Sequence, residues 1–403
     1  MTTTPTRPTG PGPLPAVFGP AQLGPITLKN RIIKSATFEG ATPKGVVTDA
    51  LVDFHHRVAS GGAAMTTVAY LAVSPEGRTD RHCLLLRDEV VADLTRLIDT
   101  VHAAGAAASA QIGHAGPVAN ARSNRAPSLA PSRRLNPGGG MTRSASERDI
   151  SRITEEYARG AAIAVNAGFD CIEIHLGHNY LLSAFLSPKL NRRGDRWGGS
   201  LANRARFPLQ VVNAVREAVG DRAAVTAKLN MADGVRGGFW LDESIEFGRM
   251  LEAEGALDAI ELTGGSSLSN PMYLFRGEAP RSEFAATLPA PVRAGFRVVG
   301  SRFLQEYPFE EAYFLPYARQ FLDALSMPLI LLGGVNRRET VEAALAEGFS
   351  FVAMARALLR EPDLISRWER GAADEGLCIH CNKCMPTIYS GTRCVLVAEP
   401  GAG

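Results

Sequence analysis

The feature that most limits how this chain can fold is an alternation of short apolar runs with helical stretches, repeated eight times between Asn30 and Arg370. The runs are Asn30–Ala36, Ala63–Leu71, Ala106–Ile112, Phe169–Ile174, Ala223–Leu229, Asp258–Leu262, Pro328–Leu332 and Phe351–Met354. They are nearly continuous in apolar character, as parallel strands covered on both faces must be. Helical periodicity follows each in turn: Asp49–Ala59, Asp88–Ala104, Ile150–Ala167, Ala202–Val219, Asp242–Glu254, Glu310–Leu325, Arg338–Glu347 and Glu361–Arg370. Asp242 reads as the N-cap of the fifth helix. Such alternation builds a doubly wound sheet or a closed barrel. Eight repeats, glycines and polar residues at most strand C-termini, and no G-x-G-x-x-G after the first strand favour an α/β fold of the (β/α)8 TIM-barrel type.

Three domains are expected: a disordered leader over 1–16, a barrel over 17–372 and a cysteine-rich tail over 373–403. The Pro- and Gly-rich leader lacks the apolar core of a signal peptide, which predicts a cytoplasmic location. A formal charge of +2 provides no field for nucleic acid or an anionic membrane, and the longest apolar runs are far too short to cross a bilayer. The expected partner is a small-molecule substrate, with self-association left open. Two segments interrupt the alternation. Residues 117–148 read as an irregular, exposed loop, and 266–310 as an aperiodic excursion shaping a pocket or lid.

Polar chemistry at the end of a buried strand marks the active end of such a fold. The fourth run ends in His175, His178 and Tyr180, three hydrogen-bond donors within six residues. Two imidazoles in one cavity suit a carbonyl oxygen or a developing negative charge, whereas packing is the usual role of a lone histidine. Gln111, at the end of the third strand, has an amide suited to a flavin pyrimidine edge or to plain loop capping. Lys228, near the end of the fifth strand, is either a cation beside a flavin or a solvated lysine. Gly333 and Gly334 after the seventh strand, with Arg356 after the eighth, are either the usual barrel phosphate site or plain turn glycines, and their placement favours the first.

Four of the six cysteines, Cys378, Cys381, Cys384 and Cys394, lie in a C-x2-C-x2-C-x9-C pattern. Without a secretory signal, a disulfide framework is not expected. The spacing leaves three readings open: a 4Fe-4S cluster, zinc, or unliganded thiols.

The segments KNRIIKSA, SPEGR, QIGHAG, IHLGHNYLLSAFLSPKLNRRGDRWGGSLANR, GGVN and MARALLREP together resemble the Old Yellow Enzyme family of FMN-dependent oxidoreductases, in order, over residues 17–370. The tail CIHCNKC is similar to the cluster segment of 2,4-dienoyl-CoA reductase and trimethylamine dehydrogenase. The resemblance implies FMN at the barrel mouth, reduced by NAD(P)H, and hydride transfer to an α,β-unsaturated carbonyl compound. It implies that Ser35, Ala36, Thr37, Tyr70, Gln111 and Lys228 contact the flavin ring. Gly333, Gly334, Ala355 and Arg356 would hold its phosphate. His175 and His178 would bind the substrate oxygen, and Tyr180 would donate the proton. The sequence departs from the family at Lys228, where arginine is usual, at Tyr70, where a small residue is common, and at 35-SATFEG-40, which lacks the flavin-tuning cysteine or threonine. Two alternatives remain: an iron–sulfur flavoprotein reductase or demethylase fed by a separate electron partner, and a non-catalytic metal-binding barrel.

Overall fold

The apolar runs close on themselves. In a computed structural model, which describes residues 16–136 and 140–397, they form eight parallel strands. These are β1 Ile32–Lys34, β2 Met65–Ala72, β3 Ala107–Gly113, β4 Cys171–Leu176, β5 Ala224–Asn230, β6 Ala259–Thr263, β7 Leu329–Leu332 and β8 Phe351–Met354. They pair in chain order, and β8 returns to β1 with Val352 opposite Ile32 and Met354 opposite Lys34. Around them run α1 Asp49–Ser60, α2 Val91–Ala103, α3 Glu147–Asn166, α4 Leu201–Val219, α5 Leu241–Glu254, α6 Leu315–Ala324, α7 Arg338–Glu347 and α8 Leu364–Glu369. No helix among the described residues is long and apolar enough to cross a membrane. Apart from Ala16, the expected leader lies outside the described residues.

Local chemistry starts several of the helices. Thr48 caps α1, Ser200 caps α4, and Ser146 with Asp149 forms a capping box on α3. Asp242 is not a cap: α5 starts one residue earlier, after Trp240, and the carboxylate falls in the first turn. There it meets the positive end of the helix dipole instead of the first free N–H groups.

Strand alternation then sorts the interior. Outward positions such as Ile172, Ile174, Val225 and Ile260 pack under the helices in the main core. Inward positions near the strand starts, including Ile33, Met65, Cys171, Ala224, Ala259 and Phe351, form a second apolar cluster. Leu23 and Leu28, from an antiparallel hairpin of Ala21–Leu23 and Ile26–Leu28, join that cluster. One end of the barrel is thereby filled with hydrocarbon, and polar residues are left to the other.

The two interruptions are more ordered than expected. Residues 117–148 contain a short helix, Ala121–Asn124, and a small parallel ladder of Leu129–Ala130 with Arg143–Ser144. Leu129 and Ala130 are fully buried there. The guanidinium of Arg193, far away in sequence, donates to the carbonyls of Pro131 and Ala145, so the backbone polar groups of the loop are satisfied from outside it. The excursion after β6 contains two helices, Arg281–Ala286 and Ala290–Phe303. Their aromatic residues Phe284, Phe296 and Phe303 pack on one another, while Val298 and Val299 are exposed, so no clean amphipathic stripe betrays them.

The ring of helices closes where α1 ends. A Cβ on Gly61 would lie 1.8 Å from the carbonyl oxygen of Pro362, just ahead of α8. The Gly61 carbonyl also accepts from the Ser366 amide at 3.0 Å. Gly61→Ala is therefore expected to lose roughly 2–3 kcal/mol of stability, read as a lower midpoint in urea denaturation; an unshifted midpoint would show that this seam can relax.

Candidate active site

Period-2 alternation carries polar residues inward along the upper halves of neighbouring strands. On β4 the inward series is Cys171, Glu173, His175; β5 contributes Thr226, Lys228, Asn230; β6 contributes Ala259, Glu261, Thr263. Inside the barrel these side chains make one network. Lys228 Nζ lies 3.1 Å from Glu173 Oε1, 2.9 Å from Glu261 Oε1 and 3.2 Å from Ser35 Oγ. Ser35 Oγ in turn donates to Glu261 at 2.8 Å, and Gln111 Nε2 donates to Glu173 at 2.7 Å. The three donors of the Lys228 ammonium are thus all engaged, and two carboxylates face one cation. Burial acts to lower the Lys228 pKa, but Glu173 and Glu261 outweigh it and hold it raised. Burial drives the Glu173 carboxyl upward, against the pull of Lys228.

The two glutamates had no place among the residues expected from sequence. A signal for them exists: each is a lone carboxylate within a buried apolar strand, two residues before a polar strand-end residue, His175 or Thr263. Lys34 was missed in the same way. It is fully buried, donates to the Ser35 carbonyl at 2.7 Å and Thr37 Oγ1 at 2.8 Å, and is pulled down to about 8 by desolvation despite Glu39.

Above this layer the aromatic groups converge. After β4 the chain turns through left-handed backbone at His178 and Asn179, with φ of 57° and 60°. For histidine that conformation is uncommon, and neighbouring strands hold it in place. Asn230 Oδ1 accepts from the His178 amide at 3.1 Å, and Thr263 Oγ1 lies 3.1 Å from His178 Nε2. The turn brings the His178 ring to 5.0 Å from His175, and Tyr180 to 4.6 Å from His175. Tyr70 lies edge-on to Tyr180 at 5.4 Å, and its hydroxyl donates to the Gly77 carbonyl. Ala36 packs in the same small cluster as Tyr70 and Tyr180. Desolvation, with Lys228 adding to it, holds His178 down at about 3. Desolvation, His178 and Lys228 hold His175 well below its ordinary value. Both rings are neutral at physiological pH, and Nδ1 of His175 is buried without a hydrogen-bond partner.

Across the mouth, Gly333 and Gly334 have φ of 122° and 79°. A Cβ on either would collide with Phe314 or Tyr313, so bare backbone is required there. Arg356, in the short helix Arg356–Arg360 that Ala355 precedes, donates to the Arg276 carbonyl at 2.9 Å and to Asn382. The donor set fits a flavin mononucleotide. An amide and a cation lie on the β3–β5 side, bare glycine backbone and a guanidinium lie on the β7–β8 side, and an unpartnered buried imidazole nitrogen lies near the first.

The tail is seated on this second side. Asn382 donates to the carbonyls of Phe275 and Glu278, the His380 ring stacks 3.4 Å above Phe309, and Thr392 N donates to the Glu39 carbonyl at 2.7 Å. Cys378, Cys381, Cys384 and Cys394 all line one small cavity with Arg356 and Arg360. Burial raises the Cys378 thiol and pushes Cys384 to about 12, with Arg356 opposing in both. Among the described residues no three His, Cys, Asp or Glu side chains are set to clasp a single metal ion. The thiols are gathered around a common space without meeting at a point.

Residues 16–261 match a model of the NADH:flavin oxidoreductase / NADH oxidase family. A 4,4'-dithiodibutanoate disulfide reductase of Rhodococcus erythropolis is 58% identical over 385 residues, covering 95% of this chain and 96% of that protein. A metal reductase of Desulforamulus reducens is 33% identical over 391 residues, but this chain spans only 54% of its length. Among solved structures, a 2-naphthoyl-CoA reductase aligns with a TM-score of 0.80 at 22% identity, over 94% of this chain and 56% of its own, a likeness of fold.

Because both histidine pKa values are depressed, the neutral His178 ring persists as pH falls until about 3, and burial likewise keeps the His175 ring neutral well below its ordinary titration range. Histidine ring resonances followed by NMR from pH 8 to pH 5 should show His175 and His178 not titrating. A midpoint near 6.5 for either would contradict the burial argument.

Proposed function

The chain belongs to the NADH:flavin oxidoreductase / NADH oxidase family, and on that premise we propose that its mouth reduces an activated C=C bond whose carbonyl oxygen is held by His175 and His178 and whose α-carbon is protonated by Tyr180. The protein is an FMN-dependent oxidoreductase that draws on NAD(P)H, and its substrates are small molecules. FMN, when bound, supplies the two-electron chemistry, accepting hydride from NAD(P)H and donating it to the acceptor. Gln111, Lys228, Ser35, Ala36, Thr37 and Tyr70 would hold its ring; Gly333, Gly334, Ala355 and Arg356 would hold its phosphate.

The convergence of His178 and Tyr180 to within 5.0 Å of His175 carries this reading. Two neutral imidazoles can each present an N–H to one oxygen without adding charge of their own. Those hydrogen bonds strengthen as negative charge develops on the oxygen, so they favour the transition state over the bound substrate. Tyr180, braced edge-on by Tyr70, then delivers its phenolic proton.

A second reading is favoured by the 58% identity, across nearly full length, to an enzyme named for a disulfide substrate. The same site would reduce an organic disulfide: RSSR + NAD(P)H + H⁺ gives 2 RSH + NAD(P)⁺. The S–S bond breaks as it takes up two electrons, and one sulfur departs as thiolate. A thiolate is a far more stable leaving group than a carbanion and departs without an acid, so Tyr180 matters less there. Tyr180→Phe separates the two. Reduction of 2-cyclohexenone, followed by NAD(P)H oxidation, should fall on the order of 10²–10⁴-fold, while reduction of 4,4'-dithiodibutanoate should change by only a few-fold. Comparable small effects on both substrates would remove Tyr180 as the proton donor.

The four tail thiols are assigned, on the same reading, to an iron–sulfur cluster. In a polynuclear cluster each thiolate binds a different iron, so the sulfurs need surround a volume and not a point. Arg356 and Arg360 on the cavity wall suit the negative charge of such a group. The buried free thiols Cys83 and Cys171 fit a reducing cytoplasm. Protein purified without air should contain iron and acid-labile sulfide in stoichiometric amounts, with a broad absorbance shoulder beside the flavin bands. Flavin bands alone, with no iron, would refute the assignment.

A further inference from the structure

The excursion after β6 carries a cation that the proposed chemistry leaves unused. The guanidinium carbon of Arg276 lies 5.1 Å from the ring centre of Tyr313, 5.3 Å from Tyr273, 5.8 Å from Phe314 and 5.9 Å from Tyr307. Its Nε is buried without a hydrogen-bond partner, and the ion pairs of the described residues do not include it. Aromatic faces stabilise such a cation but accept no in-plane N–H, so its hydrogen-bonding edge is left for an acceptor. A partly desolvated guanidinium without an acceptor is costly unless an anion completes it.

Its position identifies the anion. The rings of Tyr313 and Phe314 that stack on Arg276 are those that a side chain at Gly334 or Gly333 would strike, at 2.5 and 2.6 Å. Arg356 donates to the Arg276 carbonyl at 2.9 Å and reaches the Tyr313 hydroxyl at 3.4 Å. Both guanidiniums therefore contact the aromatic wall that lines the glycine backbone after β7. A phosphate monoester carries close to two negative charges at neutral pH. Arg356 alone does not match that charge, and its Nη1 is already committed to the Arg276 carbonyl and to Asn382.

We propose that Arg276 is the second cation of the FMN phosphate site, contributed by the excursion. Cofactor binding would thus tie down the same loop that packs beside the tail. The inference rests on FMN as the cofactor and not on which bond is reduced. An oxyanion on the substrate, such as a carboxylate, has the same chemistry, and the test separates the two sources.

Flavin-stripped protein is titrated with FMN and with riboflavin, which lacks the phosphate, and binding is read from quenching of flavin fluorescence. Arg276→Gln should weaken FMN on the order of tenfold or more and leave riboflavin unchanged. Arg276→Lys should recover part of the loss, because charge returns without the planar fork. Unchanged FMN affinity overturns the proposal. Equal weakening of FMN and riboflavin also overturns it, by making Arg276 a packing residue. A change confined to the KM of a carboxylate-bearing acceptor assigns the anion to the substrate and overturns it as well. Failure of the alkene reading appears instead in wild-type turnover with 2-cyclohexenone, so the two ideas fail separately.

Discussion

Closure of β8 onto β1 is the constraint on which the rest of the structure depends. A closed parallel sheet has an inside that water does not freely reach, and strand alternation then decides what that inside contains. Once Val352 lies opposite Ile32, every second residue of all eight strands is committed to the interior. Near the strand starts these residues are hydrocarbon, sealed by the hairpin carrying Leu23 and Leu28. Toward the ends of β1 and β3–β6 they are polar or charged.

A charged layer inside a barrel is tolerable only if its members satisfy one another. Lys228 with Glu173 and Glu261, extended by Ser35 and Gln111, meets that requirement through contacts of 2.7–3.2 Å. The layer serves as a polar floor for the mouth, and its cation helps keep His175 and His178 neutral. A lysine at position 228 has a physical consequence here. A compact ammonium is held by two adjacent carboxylates, where a planar guanidinium would extend its fork further.

The mouth itself is assembled from distant chain. The left-handed turn at His178 is held by β5 and β6, the glycine backbone after β7 is walled by residues preceding α6, and the tail locks onto the excursion through Asn382 and His380. Cysteine cavity, phosphate side and excursion share Arg356 as a common node.

Much of this was legible in the chain. Eight apolar runs with glycine and polar punctuation imply eight parallel strands, because only burial on both faces tolerates such sequences. Their boundaries held to within two residues at each end, including β1, where the ladder covers only the middle of the run. His175, His178 and Tyr180 stood out because polar groups rarely cluster at the end of an apolar strand. The helices of the excursion were hidden because their aromatic residues pack on one another, and the order of 117–148 because Arg193 supplies its partners from elsewhere. By itself, the sequence determined the barrel, the residues at its mouth and the spacing of the tail cysteines, since these follow from local periodicity and composition. Only the tertiary structure decided that Lys228 sits between two glutamates, that the imidazoles meet at 5.0 Å, and that Arg276 packs on the aromatic rings lining the glycines after β7. Those facts depend on strand register and long loops, where residues far apart in the chain become neighbours.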